Sequence, residues 1–421
     1  MIKILKFKNQ NSLKNLSIFL EKKRSEKKND IKIINKIINE IKKNKYKSLI
    51  KYEKKFSKNI EIKPSLKKIN KSIKSLDPKI KKAIDFAYKR IFKFHNLQKA
   101  KDIFYKDNLN NKIMYKYIPI QSVGIYVPSN LPSTLLMNAI PAKIAGVKRI
   151  VLANPKNDQK LNPAVLYAAK KLGINEIYSM GGAQAIASLA YIQKVNKIIG
   201  PGNIYVAGAK RKVFGDVGIE GMIAGPSEIT VLADKKTDLN EVTTSMIGQA
   251  EHDENSQCIL ITKDSNLIQK FKIDLFSKLK NLPRRNIAKK SIQNNGIIIK
   301  VYNDKQIIDA INEIAPEHLE LNVENYKKYI DKIFNAGSIC IGKYSPMALS
   351  DYAVGTNHVL PTNSSAKFSS GLSLAEFYKK ISYIKLSKKG VEKIGKYATH
   401  LAEYEELKGH ALSIKSRINK E

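Results

Sequence analysis

The sequence predicts an α/β chain with two doubly wound, parallel-sheet domains, a helical segment before them and a small helical tail domain after them. Three observations carry that prediction. The chain has 421 residues and is 43% hydrophobic, more than one core can use, because single cores stop growing near roughly 250–300 residues. From Ile118 onward, short β-branched runs alternate with helical stretches and Gly/Pro turns. These runs are continuously apolar, as in strands covered on both faces of a parallel sheet.

Residues 1–105 are Lys-rich with apolar positions at helical spacing, as in Ile31, Ile34, Ile37, Ile38 and Ile41, and predict packed helices without visible chemistry. Strands are expected at Ser122 to Val127, Arg149 to Ala153, Glu176 to Ser179, Lys197 to Ile199, Ile229 to Ala233, Cys258 to Thr262, Ile297 to Val301 and Ser338 to Ile341. They are too many for one compact sheet. The expected division gives a helical segment (1–105), a first domain (106–120 and 235–371), a second domain (121–234) and a helical tail without strands (372–421). The turn Ala224-Gly225-Pro226-Ser227 marks the boundary between the two sheets. Right-handed crossovers then bring strand ends and their loops together along one sheet edge.

The formal charge of +39 is almost all Lys, spread from Lys3 to Lys420. A nucleic-acid surface would concentrate Arg with interleaved aromatics, so diffuse solvated charge is the expectation and no specific nucleic-acid partner is assigned. No run reaches the about 18 apolar residues of a membrane span, and a soluble protein is expected. Cys258 and Cys340, the two cysteines, both lie in apolar runs and are expected as buried thiols in a reducing compartment. The first residues lack a secretory h-region or an Arg/Ser-rich transit pattern, so the cytoplasm is the expected location.

Four polar clusters stand out. In Gly248-Gln249-Ala250-Glu251-His252-Asp253, a continuing helix would put Gln249 and His252 on one face, presenting an amide oxygen and an imidazole to one ion. A polar helix end with a capping His reads equally simply. Ala315-Pro316-Glu317-His318-Leu319 sets a carboxylate beside an imidazole, a pair suited to proton transfer; a surface turn is the plainer alternative. Asp351 and His358 lie in a Gly-containing loop after the strand ending near Ile341. Glu405 and His410 fall five apart in a helical stretch, diverging by roughly 140° on an ideal helix. Of only six His, four fall in these clusters, and Gln/His/Asp/His offers N and O donors suited to a borderline ion such as Zn²⁺. For a nucleotide, Gly181-Gly182-Ala183-Gln184 and Gly200-Pro201-Gly202-Asn203 each follow a strand and open a helix, offering backbone N–H groups to phosphate. A GxGxxG fingerprint is absent, and two ordinary βα turns remain an open reading.

The run Leu136-Met137-Asn138-Ala139-Ile140-Pro141-Ala142-Lys143, followed in order by GGAQAIA, GPGN, AGPSE, GQAEHD, PEHLEL, DYAVGTNHVLPT and KFSSGLS, resembles the histidinol dehydrogenase family. The resemblance runs from about residue 30 to the C-terminus. It implies two incomplete Rossmann-like domains in a homodimer whose tails cross into the partner's active site. It also implies one Zn²⁺ on Gln249, His252, Asp351 and His410, and NAD on Tyr126, Gln184 and Asn203. By the same resemblance Glu317 and His318 are catalytic, and Ser227, Gln249, His252, His318, Asp351, Glu405 and His410 contact L-histidinol, which is oxidised to L-histidine.

Two departures bear on these implications. After Tyr126-Val127-Pro128 this chain has Ser129-Asn130 where the family has Gly-Gly and a longer loop. Ahead of Ala224, Gly221 stands where the family has Asp, and neighbouring Glu220 is expected to take the acidic role. Two competing readings are a zinc hydrolase using Glu317 on a water, which needs no nicotinamide, and a basic nucleic-acid-binding protein on an incidental scaffold.

Overall fold

The computed structural model describes residues 2–8, 11–24, 28–221 and 225–418; Ala224, the head of the expected boundary turn, lies outside them. By contacts the chain forms two compact units, 1–98 with 121–376, and 99–120 with 377–421.

The first unit begins with β1 (Lys3–Lys6), then α1 (Asn11–Arg24), α2 (Lys28–Asn44), α3 (Tyr46–Ser57), α4 (Leu66–Lys74) and α5 (Pro78–Asn96). The helical expectation holds here apart from β1, which pairs in parallel with a strand near residue 300. Its two lysines hide it in the sequence and suit an exposed sheet edge.

Within the second unit, β2 (Ile103–Lys106) and β3 (Lys112–Pro119) form a sheet with a later strand. Returning to the first unit, the chain gives β4 (Ser122–Tyr126), α6 (Pro132–Ala145), β5 (Arg149–Ala153), α7 (Pro163–Lys171), β6 (Glu176–Tyr178), α8 (Gly182–Tyr191), β7 (Lys197–Ile199), α9 (Ile204–Val213) and β8 (Gly218–Ile219). These strands make a parallel sheet in the order β6-β5-β4-β7-β8. The reversal between β4 and β7 is a topological switch point, where a crevice opens at the carboxyl ends. Gly200 follows β7 at φ +108°, and a Cβ there would lie 2.1 Å from the Tyr126 carbonyl oxygen. Only glycine allows so close an approach.

The chain continues with β9 (Glu228–Ala233), α10 (Leu239–Ala250), β10 (Gln257–Thr262), α11 (Ser265–Leu279), α12 (Arg285–Asn295), β11 (Ile297–Lys300), α13 (Asp304–Ile314), β12 (His318–Asn322), α14 (Lys327–Ile330), β13 (Ser338–Ile341) and α15 (Met347–Tyr352). The six-stranded parallel sheet runs β1-β11-β10-β9-β12-β13. Both faces are covered: Cys258, Leu260 and Ile298 enter one core, while Ile259, Ile261, Ile297 and Ile299 enter another. That alternation between two apolar environments explains the unbroken apolar runs.

The second unit is completed by β14 (Tyr378–Lys385), α16 (Lys388–Tyr404) and α17 (Lys408–Ile418). β14 pairs antiparallel with all of β3. Ser387 caps α16 through the Gly390 N–H, and its own hydroxyl donates to the Leu109 carbonyl.

Three parts of the expected division are corrected. β9, expected to close the second domain at 234, lies instead in the six-stranded sheet between β10 and β12. Residues 112–119, expected in the first domain, pair with β14. The tail expected to lack strands contains β14, whose lysines and largely exposed faces remove the apolar signal on which strand detection rests.

Candidate active site

The catalytic and ligand candidates of the first unit collect at the amino-terminal edge of the six-stranded sheet, where Glu228 opens β9, Gln257 opens β10 and His318 opens β12. Doubly wound proteins ordinarily bind ligands at the carboxyl edge. Helices antiparallel to the strands end at the amino edge, and two such ends supply the polar groups. α10 ends at Ala250, and the His252 N–H still donates to the Gln249 carbonyl at 3.3 Å. The helix expected to continue through His252 thus stops at Ala250, and a single backbone turn carries the chain on to His252. Gln249 is buried with its Oε1 lacking a hydrogen-bond partner. His252 reaches solvent, yet the protein crowded around its ring lowers its pKa.

At the end of α13, Ala315 turns the chain in the left-handed region at φ 46°. Glu317 and His318 then diverge, as adjacent extended residues must. Glu317 Oε2 accepts the Glu228 backbone N–H at 2.7 Å, and Ser227 is the next residue back along β9's entry. Burial pushes the Glu317 carboxyl well above its ordinary range, helped by the charges of Glu228 and Asp351. His318 places Nε2 3.5 Å from Asp351 Oδ1. Burial holds its pKa down at about 3, with His358 and His252 adding repulsion. Its Nδ1 has no hydrogen-bond partner.

Asp351 comes from α15, whose first turn is capped by the buried Glu320 carboxylate accepting the Met347 N–H at 2.7 Å. Burial alone raises the Asp351 carboxyl to about 7. His358 folds back so that Nδ1 lies 2.7 Å from the Asp351 carbonyl oxygen. A carbonyl can only accept, so this nitrogen carries the proton and Nε2 is left to accept from Thr134 Oγ1, 3.4 Å away on α6. Arg90 on α5 donates from Nε and Nη2 to the Ala353 and Val354 carbonyls at 2.7 and 3.0 Å. His95 and the Met137 carbonyl both contact the Asn357 amide. The loop bearing Asp351 is therefore pinned from three directions.

Burial holds His95 down at about 4, and the ring is only 1% exposed. Unfolded, it takes its proton near pH ~6.5. Between those values the unfolded state binds more protons, so stability falls as pH drops through that window and levels off below it. The loss expected is at most about 3 kcal/mol from this residue. Chemical denaturation at pH 7 and pH 4.5 checks it, with His95→Gln flattening the difference; a variant as acid-sensitive as the parent would remove His95 as a cause.

The nucleotide candidates gather at the carboxyl edge of the five-stranded sheet. Asn203 Oδ1 caps α9 by accepting the Tyr205 and Val206 N–H groups, each at 3.1 Å. Tyr126 ends β4 with its hydroxyl 3.4 Å from the Gly182 N–H. The Gly181 N–H, expected to be free for phosphate, donates instead to Glu53 Oε1 at 2.8 Å, and Gln184 Nε2 donates to the same oxygen at 2.9 Å. That expectation is corrected: the slot is filled by an internal carboxylate. The shortened loop after Pro128 is anchored by Asn154 Nδ2, which donates to the Val127 and Pro128 carbonyls. Glu220 pairs with Lys210 in a buried contact that also reaches the Gly200 carbonyl. Removing one partner of such a pair typically costs about 3–5 kcal/mol.

Glu405, the C-cap of α16, and His410, on α17, belong to the second unit and are exposed. Among the described residues, no group of three or more His, Cys, Asp or Glu is gathered as for a metal ion.

The sequence profile described as histidinol dehydrogenase matches residues 20–418. This chain belongs to the histidinol dehydrogenase family. A histidinol dehydrogenase of Pelagibacter ubique is 58% identical over all of both chains. Histidinol dehydrogenase 1 of a Nostoc species is 46% identical over 80% of each. The solved histidinol dehydrogenase of Elizabethkingia anophelis superposes with a TM-score of 0.92 at 37% identity, covering 99% of this chain and 98% of that one. Membership in the histidinol dehydrogenase family makes the chain an oxidoreductase of histidine biosynthesis and decides against the hydrolase reading. Among the described residues, no helix is long and apolar enough to cross a membrane.

Sequence reasoning missed the supports: Glu53, Arg90, His95, Thr134 and Glu320. All five stand in helices or strands, and the first three lie in the segment read as free of chemistry.

Proposed function

We propose that the chain oxidises L-histidinol through L-histidinaldehyde to L-histidine, using two NAD⁺ and one Zn²⁺ per site in a cytoplasmic homodimer. The observation that carries this reading is the meeting of His318, Glu317 and Asp351 at the switch between β9 and β12, with Gln249 and His252 on the adjoining helix end.

The donors suit a cation. Gln249 carries a buried oxygen without a partner, and Asp351 a half-buried carboxylate, groups that burial ordinarily requires to be satisfied. Together with His252 and His410 of the partner subunit they would hold Zn²⁺. Bound there, Zn²⁺ would supply a cation that orients the substrate beside His318. Ser227 beside Glu317, and Glu405 of the partner subunit, would complete the substrate pocket. The exposed apolar side chains of the second unit, among them Ile384, Tyr404 and Leu412, are the kind of surface a partner subunit covers.

His318 is neutral at pH 7 and takes the carbinol proton at Nε2, the nitrogen facing Asp351. The carboxyl of Asp351, 3.5 Å from that nitrogen, then stabilises the imidazolium. Glu317 has one oxygen committed to the Glu228 N–H, leaving Oε1 to take a proton from the water that hydrates the aldehyde. Tyr126, Gln184 and Asn203 would hold each NAD⁺, which would supply the hydride acceptor. The sum balances: one carbinol, two NAD⁺ and water give one carboxylate, two NADH and three protons. No thiol is needed, and burial pushes Cys340 up to about 11, far from a nucleophilic thiolate.

NADH counted against histidinol consumed tests the proposal. Two equivalents are expected, abolished by a chelator and restored by Zn²⁺; one equivalent, or none, would contradict it.

A further inference from the structure

The amino end of α8 is occupied. Gly181, its N-cap, provides no side-chain cap, and Glu53 on α3 supplies one from 128 positions away. Glu53 is buried, and its Oε1 accepts from both the Gly181 N–H and the Gln184 amide. Its setting is built rather than incidental. Just past α3, the Asn59 amide donates to the Ser179 carbonyl and the Ser179 N–H donates to the Ile62 carbonyl, each at 2.6 Å. Residues 53–62 thus strap the end of β6. A helix amino terminus favours a single anion through its N–H groups and dipole, and a second anion placed beside a buried carboxylate is repelled. The other turn on this edge is also closed, because Asn203 caps α9 with its own oxygen.

We propose that Glu53 is a positioning and selectivity residue: it fills the phosphate slot of α8 with an internal carboxylate, excludes phosphate groups from it, and clamps Gln184 by its amide nitrogen. The Gln184 oxygen is then the atom left to meet the uncharged polar part of a dinucleotide, beside the Tyr126 hydroxyl. That oxygen lies over Gly182, 3.0 Å from where a Cβ would stand, and Gly182 sits at φ +61°. This assignment rests on the NAD reading given above and explains how a sheet without a GxGxxG turn can take a dinucleotide: through side chains, with its backbone phosphate slots already closed.

The test is calorimetric titration of NAD⁺ binding, with inorganic phosphate as the competing probe, read beside steady-state kinetics on the zinc-loaded enzyme. In Glu53→Ala the slot opens and Gln184 loses its clamp. The KM for NAD⁺ is expected to rise about tenfold, the loss of one anchoring hydrogen bond, with kcat changed by less than about threefold. Inorganic phosphate, a poor inhibitor of the parent, becomes competitive with NAD⁺ at about tenfold lower concentration. Glu53→Gln keeps the shape and the acceptor and rescues the KM for NAD⁺. If Glu53→Ala does not fold, Glu53→Asp withdraws the carboxylate by one methylene, and the same KM-specific rise is expected. Parent-like KM and phosphate sensitivity in a folded Ala or Asp variant overturns the assignment. A parent that forms no NADH from histidinol removes the NAD reading, and this one with it; a parent that does, beside unaltered variants, removes only the role of Glu53.

Discussion

His318→Asn lowers kcat by about 10²–10⁴-fold, the usual contribution of a positioned general base, while KM for histidinol stays within a few-fold. The split follows from position. His318 opens β12 with Nε2 toward Asp351 and its ring almost wholly buried, so Asn fits the space but removes the proton acceptor. An effect confined to the chemical step lowers kcat and kcat/KM together. Glu317→Gln leaves the first hydride transfer largely intact and slows the second, because hydration of the aldehyde falls between them; a rapid burst of one NADH per site is the sign. Steady-state and single-turnover kinetics check both. A kcat within threefold of the parent in His318→Asn would remove the imidazole as base.

Zinc content is the second large effect. In His410→Asn and Asp351→Asn, bound zinc is expected to fall by about tenfold or more at a fixed free concentration, since the first loses an imidazole and the second the one anionic donor of the proposed set. Glu317→Gln retains it, because Glu317 bonds the Glu228 backbone instead. Metal analysis after dialysis distinguishes them. Equal zinc in His410→Asn and Glu317→Gln would take the tail out of the ligand set.

Much of this architecture was legible because the relevant signals are local. Apolar β-branched runs mark β4, β5, β9, β10 and β11, since residues buried on both sheet faces cannot be polar without cost. Strands rich in polar residues were not legible: β1 and β14 carry lysines, and the buried β12 opens on His318 and carries Glu320, whose polarity conceals a strand. The motif residues were found by type and spacing, but their edge was not. That edge depends on strand order, which pairs β9 with β12 across almost a hundred residues. The supports were invisible for the same reason. Arg90 and Glu53 act on backbone groups far along the chain, and a residue that hydrogen-bonds a distant carbonyl or N–H leaves no periodic trace.

The proposed site makes its central demand on two chains: one would supply Glu317, His318 and Asp351, the other His410. Subunit mixing measures it. His318→Asn and His410→Asn proteins, each inactive alone, are unfolded together and reassembled. If the tail is exchanged, a hybrid dimer has one site with both defects and one with neither, and activity returns to about a quarter of the parent's in a statistical mixture. If the tail served its own chain, every site would keep one defect, and the mixture would stay as inactive as its components.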